Sequence, residues 1–228
     1  LDKVAIYVPG GKASYPSSVL MAAGPAKATG VKDIYLTSPC PNNKINNLVL
    51  AAASIAGIQK VYSLGGVQAI AAFALGTDTF PKVQKIVGPG NQYVNEAKRQ
   101  LYGEVGIDML AGPSEIVILA DKYSNPLTVA IDLMAQAEHD ELASSILISL
   151  DELFIDKVKK ILKKEISNLS RQEIIEKSLS NQGAVIKVRD ALEAIKIIDL
   201  IAPEHLHLVN LDAKEIANSV SFAGMISI

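Results

Sequence analysis

Two short blocks hold two of the three histidines in this 228-residue chain: Ala135-Gln136-Ala137-Glu138-His139 and Ala202-Pro203-Glu204-His205. In the first, Gln136 and His139 stand three residues apart, on one face of an expected helix. An amide oxygen and an imidazole nitrogen placed there could grip one metal ion. In the second, an acid and a base follow a proline that stiffens the backbone ahead of them. An adjacent Glu and His suit proton transfer and the activation of water.

Each block also has a plainer explanation. A neutral amide is a weak metal ligand, zinc wants four donors, and no other His or Cys stands at ligand spacing. Gln136 and His139 alone therefore read more simply as a hydrogen-bonding pair at a helix end. Glu204 and His205 read as readily as a helix-end charge pair. His207 shares a strand face with His205, but its leucine neighbours place it on the polar side of an exposed strand. Ser114, in Gly112-Pro113-Ser114-Glu115, lacks the Gly-x-Ser-x-Gly turn that exposes a nucleophile. It reads as a hydrogen-bond donor to a ligand.

Glycines cluster just after expected strands, in Pro9-Gly10-Gly11, Gly65-Gly66 and Gly88-Pro89-Gly90-Asn91. Open α/β sheets bind ligands at the carboxyl ends of their strands. Glycine lets backbone approach a phosphate, and a following helix offers it free N–H groups. Glycines also end strands where nothing binds. The dinucleotide fingerprint is absent, because Tyr93 stands where a third glycine is expected and Gly65-Gly66 lacks the spacing. Recognition of a nucleotide then falls to side chains such as Tyr7, Gln68 and Asn91.

The elements that must position these residues alternate. Strands are expected at Val4–Val8, Asp33–Thr37, Lys60–Leu64, Lys85–Val87, Glu115–Ala120, Ser145–Leu150, Ala184–Val188 and Leu206–Val209, with a strand-like stretch at the end of the chain. Helical spacing fills the intervals, as in Leu48, Ala51, Ala52 and Ile55. Alternation of this kind implies α/β architecture with mainly parallel sheets covered on both faces. From Asp151 to Asn181 an amphipathic surface helix, its lysines solvated, leads to a second helix opened by the capping-box pattern Ser170-Arg171-Gln172-Glu173. No exact internal repeat is visible, yet the alternation runs twice, dividing the chain into 1–114 and 115–228.

Hydrophobic residues make up 49% and charged residues 20%, with a net charge of −2. This balance argues against nucleic acid or a membrane surface as partner, and no apolar run reaches the ~18 residues of a membrane span. Cys40 is the single cysteine, which fits a reducing, cytoplasmic setting. The chain starts without Met and stops inside an apolar stretch, so it reads as a piece of something longer.

Taken together, these blocks resemble histidinol dehydrogenase over nearly the whole chain. The matching segments are Tyr7-Val8-Pro9-Gly10-Gly11, Gly65-Gly66-Val67-Gln68-Ala69, Lys85 to Asn91, Glu96-Ala97-Lys98-Arg99, Ile107 to Glu115, Gln136-Ala137-Glu138-His139 and Pro203-Glu204-His205-Leu206. The resemblance implies two incomplete Rossmann-like domains, a homodimer, one zinc per active site and NAD as oxidant. It implies oxidation of the small molecule L-histidinol to L-histidine through bound L-histidinaldehyde, by two hydride transfers, in the last steps of histidine biosynthesis. By position, Tyr7, Gln68 and Asn91 would contact NAD in 1–114. Ser114, Gln136, His139 and His205 would hold substrate, with Gln136 and His139 also on zinc. His205 would be the general base, and Glu204 would activate water. Leu110 departs from the family's usual Pro. The family's other two zinc ligands have no counterpart, so the expectation for these residues alone is weak zinc binding and no turnover. A truncated relative that only binds a ligand or partner is the alternative, and a zinc hydrolase using Glu204 ranks behind both.

Overall fold

The computed structural model describes residues 1–10 and 15–228, so Gly11 of the first glycine turn lies outside the described residues. The chain divides into two compact units, Leu1–Ala111 and Gly112–Ile228. This division falls three residues before the one expected at 114/115, and it puts Ser114 with the second unit. The Ser114 carbonyl accepts the N–H of Ser144 at 3.0 Å, which ties it to that unit's sheet.

Unit one contains strands β1 (Lys3–Tyr7), β2 (Asp33–Thr37), β3 (Lys60–Tyr62), β4 (Lys85–Val87) and β5 (Gly106–Ile107), with helices α1 (Pro16–Ala28), α2 (Asn47–Ile55), α3 (Gly66–Leu75) and α4 (Gln92–Leu101). Its strands run parallel in the order β3-β2-β1-β4-β5. Consecutive residues of β1 are buried because both faces are covered. Ile6 and Leu36 pack against Val19, Ala23, Val49 and Ala53 of α1 and α2. On the other face, Ala5, Tyr7 and Ile86 meet Ile70, Phe73, Val94 and Ala97 of α3 and α4.

Unit two contains β6 (Glu115–Ala120), β7 (Ser144–Ser149), β8 (Ala184–Lys187), β9 (His205–Leu208) and β10 (Met225–Ser227), with α5 (Pro126–Ala137), α6 (Glu152–Glu165), α7 (Gln172–Asn181), α8 (Ala191–Ile201) and α9 (Ala213–Ser219). Its parallel order is β10-β9-β6-β7-β8. Reading β6 as β1, β7 as β2 and so on reproduces the order of unit one. The two halves are therefore a structural repeat. The α/β architecture with two parallel, Rossmann-like sheets matches the expectation.

Three details differ from the sequence reading. The two-residue β5 was not expected, being too short to show a period. The Ser170 capping box does not form: the N-cap of α7 is Arg171, with no side-chain capping bond among the described residues. Backbone carbonyls of Leu169 and Arg171 accept from Gln172 and Ile174 instead. Finally, β9 is not an exposed strand but lies between β6 and β10.

Candidate active site

The carboxyl edge of unit one gathers Tyr7, Gln68 and Asn91. The chain runs from β1 to β2 and β3 on one side, then crosses to β4 on the other. This makes the β1–β4 boundary the switch point where open α/β sheets leave a crevice. Tyr7 ends β1 with its ring in the core, 4% exposed. Its hydroxyl accepts the Gly66 N–H at 3.1 Å, so only that hydroxyl can serve a ligand. Burial raises the Tyr7 pKa despite the Gly66 N–H, which keeps the phenol protonated and able to donate. Gln68 is exposed in the first turn of α3, and Asn91 caps α4 by accepting from Tyr93 and Val94, both at 3.1 Å. That bond uses the Asn91 Oδ1 and leaves its amide N–H groups for a ligand.

The glycines here are dictated by space. A Cβ on Gly88, at φ +117°, would come within 2.0 Å of the Tyr7 carbonyl oxygen, and one on Gly65 within 2.4 Å of Pro39. Two helix N-termini and backbone stripped of side chains suit the phosphates of a dinucleotide. A cavity of about 380 Å³ lined by Pro9, Gly10, Ser38, Pro39 and Asn46 opens at the same edge. The residues at this edge thus suit a nucleotide cofactor.

Lys98 and Asp108 received no role from sequence reasoning, yet they hold this edge together. Lys98 is 1% exposed, and its ammonium donates to Asp108 Oδ1 at 2.7 Å and to the Gly88 carbonyl at 2.5 Å. The second carboxylate oxygen accepts the Gly88 N–H at 2.7 Å. For Asp108 the largest influence is burial, which pushes its pKa up. The Lys98 hydrogen bond and the N–H groups of Gly88 and Met109 outweigh it, and the net shift is downward. A charged residue on a polar helix such as Gln92–Leu101 ordinarily faces solvent, so no signal in the sequence marks Lys98 as buried.

The proposed chemistry lies on unit two, at the amino edge of its sheet. Helix α8 ends on Ala202 in the left-handed region (φ +50°), and Pro203 then leads Glu204 and His205 into β9. A non-glycine residue at positive φ costs about 1–3 kcal/mol and is retained where the surroundings fix it. Glu204 and His205 are therefore not a helix-end pair; His205 is the first residue of a strand. In register, His205 pairs Ile116 of β6. Glu204 Oε2 accepts the Glu115 N–H at 3.2 Å, and Oε1 stands 3.8 Å from His205 Nε2. That gap is too long for a hydrogen bond, but it lets both groups address one small molecule. The side chains are 51% and 38% exposed, open enough to meet a substrate. Ser114, directly before β6, is half-buried.

A contact between Asp132 and His207, 75 positions apart in sequence, fixes where Gln136 lies. His207 Nδ1 on β9 lies 3.1 Å from Asp132 Oδ2 on α5. Helix α5 runs antiparallel to the strands it joins. Four residues along it, from Asp132 to Gln136, move about 6 Å toward the amino edge. Two residues back along β9, from His207 to His205, move about 6.6 Å the same way. Gln136 and His205 are thereby brought to one end of the same helix–strand seam. Gln136 is buried, and its Nε2 and the Nδ1 of His205 are buried without a hydrogen-bond partner among the described residues. Two unpaired buried polar atoms in one region are what a ligand site leaves open.

His139 departs from expectation, since α5 ends at Ala137 and His139 lies exposed in the bend beyond it. Its N–H donates to the Gln136 carbonyl at 3.2 Å, so a tight turn rather than a helical face joins the two residues. Among the described residues no three His, Cys, Asp or Glu side chains gather to hold a metal ion. Gln136 and His139 supply two of the four donors zinc requires. They do not by themselves fit the ion. No helix among the described residues is long and apolar enough to cross a membrane.

Comparison with known proteins bears on the chain as a whole. A profile of histidinol dehydrogenases matches residues 1–228. The histidinol dehydrogenase of Dechloromonas aromatica is 54% identical over 228 residues, covering 100% of this chain and 53% of that protein. That of Burkholderia pseudomallei is 52% identical over 226 residues, covering 99% and 51%. The crystal structure of histidinol dehydrogenase from Elizabethkingia anophelis superposes with a TM-score of 0.92 at 38% identity, over 98% of this chain and 52% of that one. A propionaldehyde dehydrogenase from Rhodopseudomonas palustris shares the fold alone, with a TM-score of 0.61 at 10% identity over 95% of this chain and 63% of its own. The chain spans about half the length of the curated relatives it matches.

Proposed function

The chain belongs to the histidinol dehydrogenase family, and from that premise we propose that its parent protein oxidises L-histidinol to L-histidine through bound L-histidinaldehyde. NAD would be held at the carboxyl edge of unit one and would supply the hydride acceptor for each of the two oxidations. Tyr7, Gln68 and Asn91 orient it there. Ser114, Gln136, His139 and His205 hold the substrate. A zinc ion with Gln136 and His139 among its ligands, and a homodimeric, cytoplasmic enzyme, belong to the same proposal for the parent.

An alcohol carbon gives up hydride only as its oxygen loses a proton, and His205 takes that proton at Nε2, the nitrogen facing Glu204. A side chain at the mouth of a strand can return it to water between steps. An aldehyde has no hydride to give in the required sense until water adds to its carbonyl. Glu204 removes a proton from that water through Oε1, while Oε2 stays fixed on the Glu115 N–H. Keeping the aldehyde bound between the steps protects it from side reactions.

The observation that carries this reading is the arrangement at the amino edge of unit two. A carboxylate held by one oxygen stands beside an imidazole whose Nδ1 is buried and unpaired, at the same seam end as an unpaired Gln136 amide. Its test is His205→Asn in the full-length parent. Histidinol-dependent NADH formation should fall by about 100-fold or more, with zinc content by elemental analysis unchanged. A rate near that of the unsubstituted enzyme would remove His205 as the base.

A further inference from the structure

We propose that the ion pair between buried Lys98 and the partly exposed Asp108 is a positioning element for nucleotide capture, holding the Gly88-Pro89-Gly90 turn and the adjoining Asn91 in the shape that keeps the β1–β4 crevice open. The inference rests on the reading that NAD binds unit one, and it concerns two residues outside that site that shape its turn.

Gly88 follows directly on β4 and turns away from the sheet at φ +117°. Its two backbone polar groups are both taken by the pair, the N–H by Asp108 and the carbonyl by Lys98. The two charged side chains come from different segments, Lys98 from α4 and Asp108 from just after β5, a strand of two residues pairing only with β4. One helical turn from Lys98, Asn95 extends the same arrangement. Its Nδ2 donates to the Ala111 carbonyl at 2.8 Å and reaches the Gly90 carbonyl at 3.5 Å. Two neighbouring side chains of α4 thus hold both the 88–90 turn and the 108–111 segment to the helix that Asn91 caps.

Stability alone does not account for a lysine here. Burying the Lys98 ammonium is costly, and an apolar residue of similar volume commonly holds a fold as well or better. An apolar pair cannot bond both the N–H and the C=O of one strained glycine. With 1% exposure the Lys98 charge is not itself offered to a ligand. It acts through the turn, so it is a positioning residue rather than a catalytic one.

The test uses the full-length parent and reads NAD binding by isothermal titration calorimetry, apart from turnover. Lys98→Met combined with Asp108→Leu removes both charges. This double variant should keep a melting temperature near the unsubstituted protein's, yet bind NAD about tenfold or more weakly. Its KM for L-histidinol and its kcat at saturating NAD should stay within about twofold. Hydrogen exchange should accelerate at Gly88–Asn91 and not across unit two. Asp108→Asn, which keeps an oxygen for the Gly88 N–H but loses the charge facing Lys98, should show the same pattern more weakly, and it serves if the double variant does not fold. Unchanged NAD affinity in either variant overturns the proposal, as does a loss of affinity that tracks global unfolding. If the unsubstituted parent itself takes no NAD, the nucleotide reading fails before any substitution and this role fails with it.

Discussion

Replacing Gly88 with alanine should be among the most damaging single-methyl changes in unit one. The added Cβ would stand 2.0 Å from the Tyr7 carbonyl oxygen, where real Cβ contacts do not fall below 3.0 Å, so something must shift by at least 1 Å. The obstacle is main chain in a buried strand, and the turn is the part that must give. Holding alanine at φ +117° costs about 1–3 kcal/mol. Moving the turn also strains or breaks a bond to Lys98 or Asp108, each charge-assisted and worth about 1.5–3 kcal/mol. The expected loss is about 3–6 kcal/mol, a large part of the ~5–15 kcal/mol that holds a typical domain. Gly24→Ala is the matched control, since Gly24 is exposed in α1, has ordinary φ and meets nothing within 4 Å. It should change stability by less than about 1 kcal/mol, because the backbone entropy gained by replacing a helical glycine is offset by crowding of the new Cβ against Pro25, the next residue. Urea denaturation of the full-length parent carrying each change reads both effects. Equal midpoints for the two variants would refute the close-approach reasoning.

Three further outcomes follow from the geometry. Glu204→Gln should slow oxidation of supplied L-histidinaldehyde roughly tenfold more than it slows the alcohol step; equal slowing of both would remove the water-activating role. Asp132→Leu frees α5 from His207, and since a displacement of about 1 Å can cost on the order of 100-fold, kcat should drop 10- to 100-fold with NAD affinity intact. An unchanged kcat would show that the Asp132–His207 contact does not set the seam. In wild type the depressed Asp108 pKa contributes stability that is complete above its ordinary carboxylate range near 3.8 and is lost as pH falls below it. With Lys98→Met the burial influence is less opposed, so ¹³C NMR should show the Asp108 carboxyl titrating higher than in wild type and acid unfolding should start at higher pH; a carboxyl titrating where it does in wild type would contradict this.

Much of the framework is legible because a sheet buried on both faces writes itself as unbroken apolar runs. Asp33–Thr37, Lys85–Val87 and Glu115–Ala120 stand where those runs place them. β5 is not legible, because two residues carry no period. The capping box at Ser170 misleads because its residues are right but the helix starts a residue later, beyond a 3₁₀ turn at Ile166–Asn168. At the site, Glu204 and His205 announce themselves by adjacency. Lys98, Asp108 and Asp132 do not, because their importance lies in partners that only the fold supplies. A lysine in Glu96-Ala97-Lys98-Arg99 looks solvated like the arginine beside it, which pairs at the surface with Glu96. The second leucine-flanked histidine, His207, reads as surface only while β9 is assumed to be an edge.

The repeat makes the two sheets comparable, and they use opposite edges. In unit one the carboxyl edge at the β1–β4 switch point is kept open, its turn pinned from behind by Lys98 and Asp108. The equivalent edge in unit two, between β6 and β9, is closed by its own side chains. Asp121 accepts the N–H groups of Tyr123, Ser124 and Leu211, and Ser124 donates to the Val209 carbonyl at 2.8 Å. The loop amides at this edge are spent on the Asp121 carboxylate and are not free for another anion. With its carboxyl edge closed, unit two is left with the opposite end of its sheet. There a left-handed alanine, a proline and an antiparallel helix set Glu204, His205 and Gln136 together. In the function proposed above, one topology used from its two ends would separate nucleotide binding from proton chemistry without a second fold.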